Sequence, residues 1–207
     1  RLPHTCRELP LHYAAPADYE MLCGYRKRFR VPPVQTAPRL FLRFDGAAHQ
    51  AVVRVNGKLA GQHKGGYTGF EVEITDFVDR ENENLLTVQL DTREDPSVPP
   101  FGFVIDYLTY GGLYREVWLE VTAESRFTDL FVYTPTLKTA RVHWAAEHLE
   151  HVAAVRVRLE TEDGTLLAEQ TADAAESGRM QLSVPDAQPW DTRHPVLHRC
   201  TAELLNA

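Results

Sequence analysis

The stretch "RLFLRFDGAAHQAVVRVNGKLAGQHKG" (Arg39 to Gly65) decides the fold. Leu40 to Phe44 is read as an alternating strand, Asp45-Gly46 turns, and Ala51 to Val55 is read as alternating again. Asn56-Gly57 then stands where a two-residue hairpin needs positive φ at both central positions. A period of two closed by such turns predicts antiparallel strands. The same grammar runs outward in both directions. Upstream, "YRKRFR" (Tyr25 to Arg30) alternates as a strand with one charged face. Downstream come the strand of "GGYTGFEVEITDFV" (Gly65 to Val78) and a strand from Leu85 to Leu90. In "DYLTYGGLYREVWLEV" (Asp106 to Val121), Val117, Leu119 and Val121 alternate with Glu116 and Glu120, and Trp118 falls on the otherwise polar face. The first half of that stretch is too apolar for a solvated loop and too broken by glycine for a helix. Nowhere does a clean 3.6 period persist, so the chain is read as all-β.

A cut is expected at "TAESRFTDL" (Thr122 to Leu130), where one set of strands ends and another begins. The second set comprises strands near Arg141 to Ala146, Ala154 to Glu160, Leu166 to Thr171 and Met180 to Val184, with "EDG" (Glu162 to Gly164) as the hairpin between the middle two. Turn signals roughly 8 to 12 residues apart suit an immunoglobulin-like sandwich. "VLHRCTAELLNA" (Val196 to Ala207) opens a last strand and stops, which reads as a boundary with a further domain beyond it.

Composition narrows the function classes. With 207 residues, 43% of them hydrophobic, the chain can build one large or two small cores. A net charge of −7 with no basic cluster denser than Tyr25 to Arg30 argues against nucleic acid. Cys6, Cys23 and Cys200 are odd in number and far apart, with no CxxC pair and no histidine at ligand spacing, so neither zinc nor a disulfide framework is expected. His143, His148 and His151 read as surface histidines. No apolar run nears the length of about 20 that a membrane span needs. No cofactor motif is present.

Several stretches, taken together, resemble the amino-terminal region of glycoside hydrolase family 2, the family of β-galactosidases, β-glucuronidases and β-mannosidases. They are "LPH" (Leu2 to His4), "YRKRFRVP" (Tyr25 to Pro32), "FLRFDGA" (Phe41 to Ala47), "VNGKLAGQHKGGYTGFEVEIT" (Val55 to Thr75), "NLLTVQLD" (Asn84 to Asp91) and "YGGLYREVWLEV" (Tyr110 to Val121), in the family's order. "PWDTRHPVLHRCTAEL" (Pro189 to Leu204) is similar to the end of the immunoglobulin-like domain that precedes the family's catalytic barrel. The resemblance implies a sugar-binding jelly-roll β-sandwich over residues 1–123 and an immunoglobulin-like β-sandwich over 124–207. It also implies a β-glycoside substrate met through the active site of a longer parent, whose (β/α)8 barrel carries both catalytic glutamates and is absent from this chain.

No catalytic residue, metal or cofactor is then expected here. Asn82-Glu83 copies the dipeptide of the family's acid/base, but lies in "DRENENLL", a charged turn entering a strand. One substrate contact is implied, Asp106, whose spacing to Tyr110-Gly111-Gly112 matches a family aspartate that reaches a sugar hydroxyl. The plainer alternative makes Asp106 a turn carboxylate or a partner of Arg115. Gly111 and Gly112 read as conformational. His63, Lys64 and Tyr67 read as parts of a loop beside the Asn-Gly hairpin, and Trp118 and Trp190 as core or interface aromatics. Two departures are Cys6, where such proteins commonly carry Trp, and Thr109, where many carry Asn. The short loop from Pro99 to Asp106 favours a β-galactosidase parent. A β-glucuronidase or β-mannosidase parent, a free-standing carbohydrate-binding module and a structural domain remain the alternatives. Family members often assemble as dimers or tetramers, though no residue here fixes an interface. Location is open, with the cytoplasm marginally favoured.

Overall fold

A computed structural model describes residues 1–8, 15–33, 39–99 and 110–206. Among them regular structure is almost entirely antiparallel strand, beside one helical turn, α1 (Pro16–Tyr19), so the all-β expectation holds. The chain forms two compact units, Arg1–Thr122 and Ala123–Ala207.

In the first unit the strands are β1 (Leu22–Phe29), β2 (Arg39–Phe44), β3 (Gln50–Val55), β4 (Lys58–Lys64), β5 (Phe70–Glu73), β6 (Asn84–Asp91) and β7 (Val117–Thr122). They make two sheets, ordered β1-β6-β3-β4 and β5-β2-β7. Period-two patterning explains the layering: Ala51, Val53 and Val55 of β3, Leu86, Val88 and Leu90 of β6, and Leu40, Leu42 and Phe44 of β2 all bury their side chains in one core. Phe44 is fully buried and stacks on Phe70 at 4.6 Å. On β1, Tyr25 and Phe29 turn inward while Arg26 and Arg28 stay exposed, so its charged face is solvated as expected.

The hairpin forms as its sequence requires, with φ of 51° at Asn56 and 82° at Gly57. A buried amide locks it in place. Asn84 Oδ1 accepts from Asn56 Nδ2 at 2.8 Å and from the Asp79 N–H at 2.7 Å, and Asn84 Nδ2 donates to the Asp79 carbonyl at 2.7 Å. Asn82-Glu83 is indeed a turn. The Asp79 carboxylate accepts from the N–H groups of Glu81 and Asn82, both at 2.9 Å, and from Asn82 Nδ2 at 3.0 Å, while Glu83 pairs with Arg28 at 2.7 Å. The bonds from Asn82, then that from Glu81, hold the Asp79 carboxyl below its ordinary range.

In the second unit β8 (Arg126–Thr136), β9 (Thr139–Glu147), β10 (Val152–Thr161), β11 (Leu166–Asp173), β12 (Ser177–Ser183) and β13 (His198–Asn206) form sheets ordered β12-β9-β8 and β11-β10-β13. Val142, Trp144, Val155, Val157 and Leu182 fill the space between them. The Glu162–Gly164 turn joins β10 to β11, with Gly164 at φ 88°.

The core half of the tryptophan expectation fails: Trp118 and Trp190 are not core residues of this chain, being 48% and 58% exposed. Trp118 sits on the outward face of β7, where its indole N–H donates to Asp45 Oδ2 at 2.9 Å and the Arg43 guanidinium lies 5.8 Å from its ring. The buried indole is Trp144, bonded to the Ala175 carbonyl at 3.2 Å and seated directly against Gly178. A Cβ on Gly178 would come within 2.0 Å of the Trp144 ring.

Both features are testable by urea denaturation. Asn84→Ala strands the donors that Asn84 satisfies and is expected to cost the first unit about 1–3 kcal/mol. Gly178→Ala overpacks the second core and is expected to cost about 1–3 kcal/mol there. Each variant should shift the transition of its own unit and leave the other unit's transition in place.

Candidate functional site

The segment that carries Asp106 lies outside the described residues, as does Thr109. The residues on either side of it are held in place. On the outgoing side the Asp95 carboxylate accepts from the Ser97 N–H at 2.8 Å, the Ser97 hydroxyl at 2.7 Å and Gln50 Nε2 at 2.9 Å. Those bonds, the Ser97 N–H first, hold the Asp95 carboxyl below its ordinary range.

On the returning side the chain threads a narrow slot. Gly112 exchanges backbone hydrogen bonds with Ala48, at 3.0 Å from the Ala48 N–H and 3.2 Å from its own. Across the slot, His4 N–H donates to the Leu113 carbonyl and Cys6 N–H to the Gly111 carbonyl, both at 2.9 Å. Neither glycine has room for a side chain. A Cβ on Gly111 would fall 2.2 Å from Thr92 Cγ2, and one on Gly112, whose φ is 150°, would fall 2.4 Å from the His4 carbonyl oxygen. The conformational role expected of the pair is therefore present, and close approach is its larger part.

Two further elements meet this loop base. The Tyr114 hydroxyl donates to the Gly66 carbonyl, and the Tyr67 and Tyr114 rings meet edge to face at 5.9 Å. The Gly65 N–H donates to the His49 carbonyl at 3.0 Å. Gly65, Gly66 and Tyr67 thus buttress the same base that Tyr110 to Tyr114 form. Tyr67 and Tyr110 remain 43% and 49% exposed at this end of the sandwich. His63 and Lys64 belong to β4 rather than to a loop. His63 stacks on Phe70 at 4.2 Å and bonds Thr68 Oγ1 at 3.0 Å, which is structural work. Arg115 places its guanidinium over the Tyr114 ring at 5.5 Å and its Nη1 donates to the Asp45 carbonyl at 3.4 Å.

Sequence reasoning missed two components. His49 is 3% exposed, and neither of its ring nitrogens has a hydrogen-bond partner. It stands beside Gly66, where an added Cβ would lie 3.0 Å from His49 Nδ1. No local pattern marks it, since it interrupts no alternation. The second is a correction: Cys6 and Cys23, dismissed as too far apart in sequence, form a disulfide with their Cα atoms 6.7 Å apart. Antiparallel pairing explains the error, because Leu2 to Cys6 folds back along the loop base and is carried to β1. The Tyr25 hydroxyl joins that junction, lying 3.0 Å from His4 Nδ1 and 3.6 Å from Cys6 Sγ and accepting from the Leu113 N–H at 3.3 Å. Burial pushes the Tyr25 hydroxyl above its ordinary range, and the bond from Leu113 pulls it back. Among the described residues no group of three or more His, Cys, Asp or Glu side chains could hold a metal ion.

This architecture has clear relatives. Residues 5–123 match the family described as glycosyl hydrolases family 2, sugar binding domain. The chain is 30% identical over 214 residues to a β-galactosidase of Thermoanaerobacter pseudethanolicus, the alignment covering 99% of this chain and 29% of that protein. It is 34% identical over 165 residues to a β-glucuronidase of Bacteroides fragilis, covering 79% of this chain and 23% of that protein. Among solved structures, an FMN-binding β-glucuronidase from Facaelibacterium prausnitzii L2-6 superposes with a TM-score of 0.86 at 26% identity, covering all of this chain and 33% of that one. The chain belongs to glycoside hydrolase family 2, and it spans less than a third of the length of these relatives.

Gly112→Ala tests the slot. The added methyl group must push the His4 strip away, at an expected cost of about 2 kcal/mol or more from overpacking and backbone strain together. The checks are the urea midpoint of the first unit and the loss of NMR cross-peaks between residues 4–6 and 111–113.

Proposed function

We propose that this chain is the non-catalytic amino-terminal part of a retaining β-glycosidase, most like a β-galactosidase, in which it shapes the active-site rim and offers Asp106 to the substrate. On this reading the first unit is the sugar-binding jelly roll, the second is an immunoglobulin-like spacer, and hydrolysis is the work of a barrel elsewhere in the parent. That barrel would hold two carboxyl groups about 5 to 5.5 Å apart, one as acid/base and one as nucleophile.

The observation that carries the proposal is the match of Asp106-x-x-x-Tyr110-Gly111-Gly112 to the family spacing, ending on a loop base pinned by Ala48 on one side and by His4 and Cys6 on the other. The pinned base fixes the point at which the stretch carrying Asp106 joins the first unit, and an anchored starting point is what substrate positioning builds on. A carboxylate there can accept two hydrogen bonds from vicinal sugar hydroxyls, each charge-assisted bond worth roughly 1.5 to 3 kcal/mol once water is excluded. The partly exposed rings of Tyr67 and Tyr110 are of the kind that packs on the apolar face of a sugar. A β-glucuronidase parent is the second reading, favoured by the Bacteroides fragilis relative of that name.

The test is kcat/KM of the full-length parent on aryl β-galactosides and aryl β-glucuronides, wild type against Asp106→Ala. Loss of one charge-assisted hydrogen bond should lower kcat/KM about 10- to 150-fold on the preferred sugar while the fold is kept. An unchanged rate makes Asp106 a turn residue and removes the site assignment. Preference for the glucuronide moves the parent to the second reading.

A further inference from the structure

The strip from Leu2 to Cys6 is the outer wall of the slot that holds Gly111 to Leu113. Two backbone hydrogen bonds attach it there, from His4 and Cys6, and Leu2 packs on the core. The third attachment is covalent, the bond from Cys6 to Cys23 on β1, spanning a sequence separation of 17. Both cysteines are half-buried, so small thiol reagents can reach them. Their Cα separation of 6.7 Å falls inside the range that a disulfide bridges without backbone movement. Cys200 is different: it is free, and burial raises its thiol pKa, which keeps it protonated and slow to react. The same strip walls a cavity of about 680 Å³ between the two sheets, lined by Leu2, Tyr25, Phe29, Leu113, Val117 and Leu119 among others.

We propose that Cys6 and Cys23 are an oxidation-dependent staple that fixes the Leu2–Cys6 strip against Gly111–Leu113, so that the thiol redox state of the surroundings sets how firmly Gly111–Leu113 are held. The regulatory consequence rests on the function proposed above; the staple itself does not. Closure needs a disulfide of the glutathione type as oxidant. One cysteine thiolate attacks it, forming a mixed disulfide and releasing one glutathione thiolate. The second cysteine thiolate then displaces the other glutathione, so two cysteine thiols become one disulfide while the oxidant becomes two thiols and the electrons balance. A dithiol reverses the step. On opening, the strip keeps its two hydrogen bonds but loses its covalent tether, so the wall beside Gly112 opens more often.

The experiment uses the 207-residue chain in glutathione disulfide or in dithiothreitol. After alkylation and proteolysis, the oxidised sample should yield a peptide pair joined through Cys6 and Cys23, with Cys200 alkylated. Amide exchange at Cys6, Gly112 and Leu113 should rise about tenfold or more on reduction, with the second unit unchanged. Cys6→Ser should show the fast exchange in both conditions, and Cys23→Ser should behave alike, which guards against an effect peculiar to one variant. Free thiols at Cys6 and Cys23 after oxidation overturn the staple, and equal exchange in both states overturns its hold on the loop base. In the full-length parent, reduction should raise KM about fivefold, and Cys6→Ser should remove the redox dependence. An equal KM in both states overturns the regulatory role even where the exchange result stands. A silent Asp106→Ala brings down the substrate reading and leaves the exchange result to decide the staple.

Discussion

Where Gly111 and Gly112 pass between the Leu2–Cys6 strip and Ala48, three backbones lie so close that no side chain fits between them. Backbone packing of this kind is unforgiving, because the atoms that would have to yield belong to the main chain and are already hydrogen-bonded. The first unit is organised around it. The strip must fold back to form one wall, the turn after β2 must bring Ala48 to form the other, and the Thr92 side chain must fit beneath Gly111. Thr92 is fully buried, and its hydroxyl ties the end of β6 to the chain entering β1 by donating to the Tyr19 carbonyl and accepting from the Met21 N–H. A disturbance in the slot therefore reaches the start of β1, the end of β6 and the Gly65–Tyr67 loop together.

How much of this could be read in advance depended on range. Alternation in Leu40–Phe44 and Ala51–Val55 identified β2 and β3, and Asn56-Gly57 identified the turn into β4, because each signal is contained in a few consecutive residues. Position 118 is instructive in another way. Its place on the polar face was plain from the alternation, yet general habit puts tryptophan in cores, and the alternation was the better guide because the pleat decides the side while Asp45 and Arg43 make the outside hospitable. Long-range geometry left no trace. The pairing of Cys6 with Cys23 requires the amino-terminal strip to run beside Gly111, about a hundred residues further along, and nothing local in "LPHTC" announces that. His49 was invisible for the same reason, since its burial is made by Gly66 from another loop.

Among the described residues the Asp79 and Asp163 carboxylates, held below their ordinary range, accept bonds from their own turns, and that of Asp95 accepts from its turn and from Gln50. A general acid needs the reverse, a carboxyl made reluctant to ionise by burial or by a like charge. Among the described residues these carboxylates serve the architecture, holding turns and loop ends in place.

The contact between Gly178 and Trp144 carries a meaning for the history of the second unit. The indole lies flat over β12 only because position 178 has no side chain, so the two positions form a single choice made of two residues. A lineage that replaced Trp144 by a smaller apolar residue would be free to admit alanine or serine at 178, and one that kept the tryptophan would not. Drift at these sites is therefore ordered in time: the ring must shrink before the glycine can go, and the reverse order passes through a chain that folds poorly.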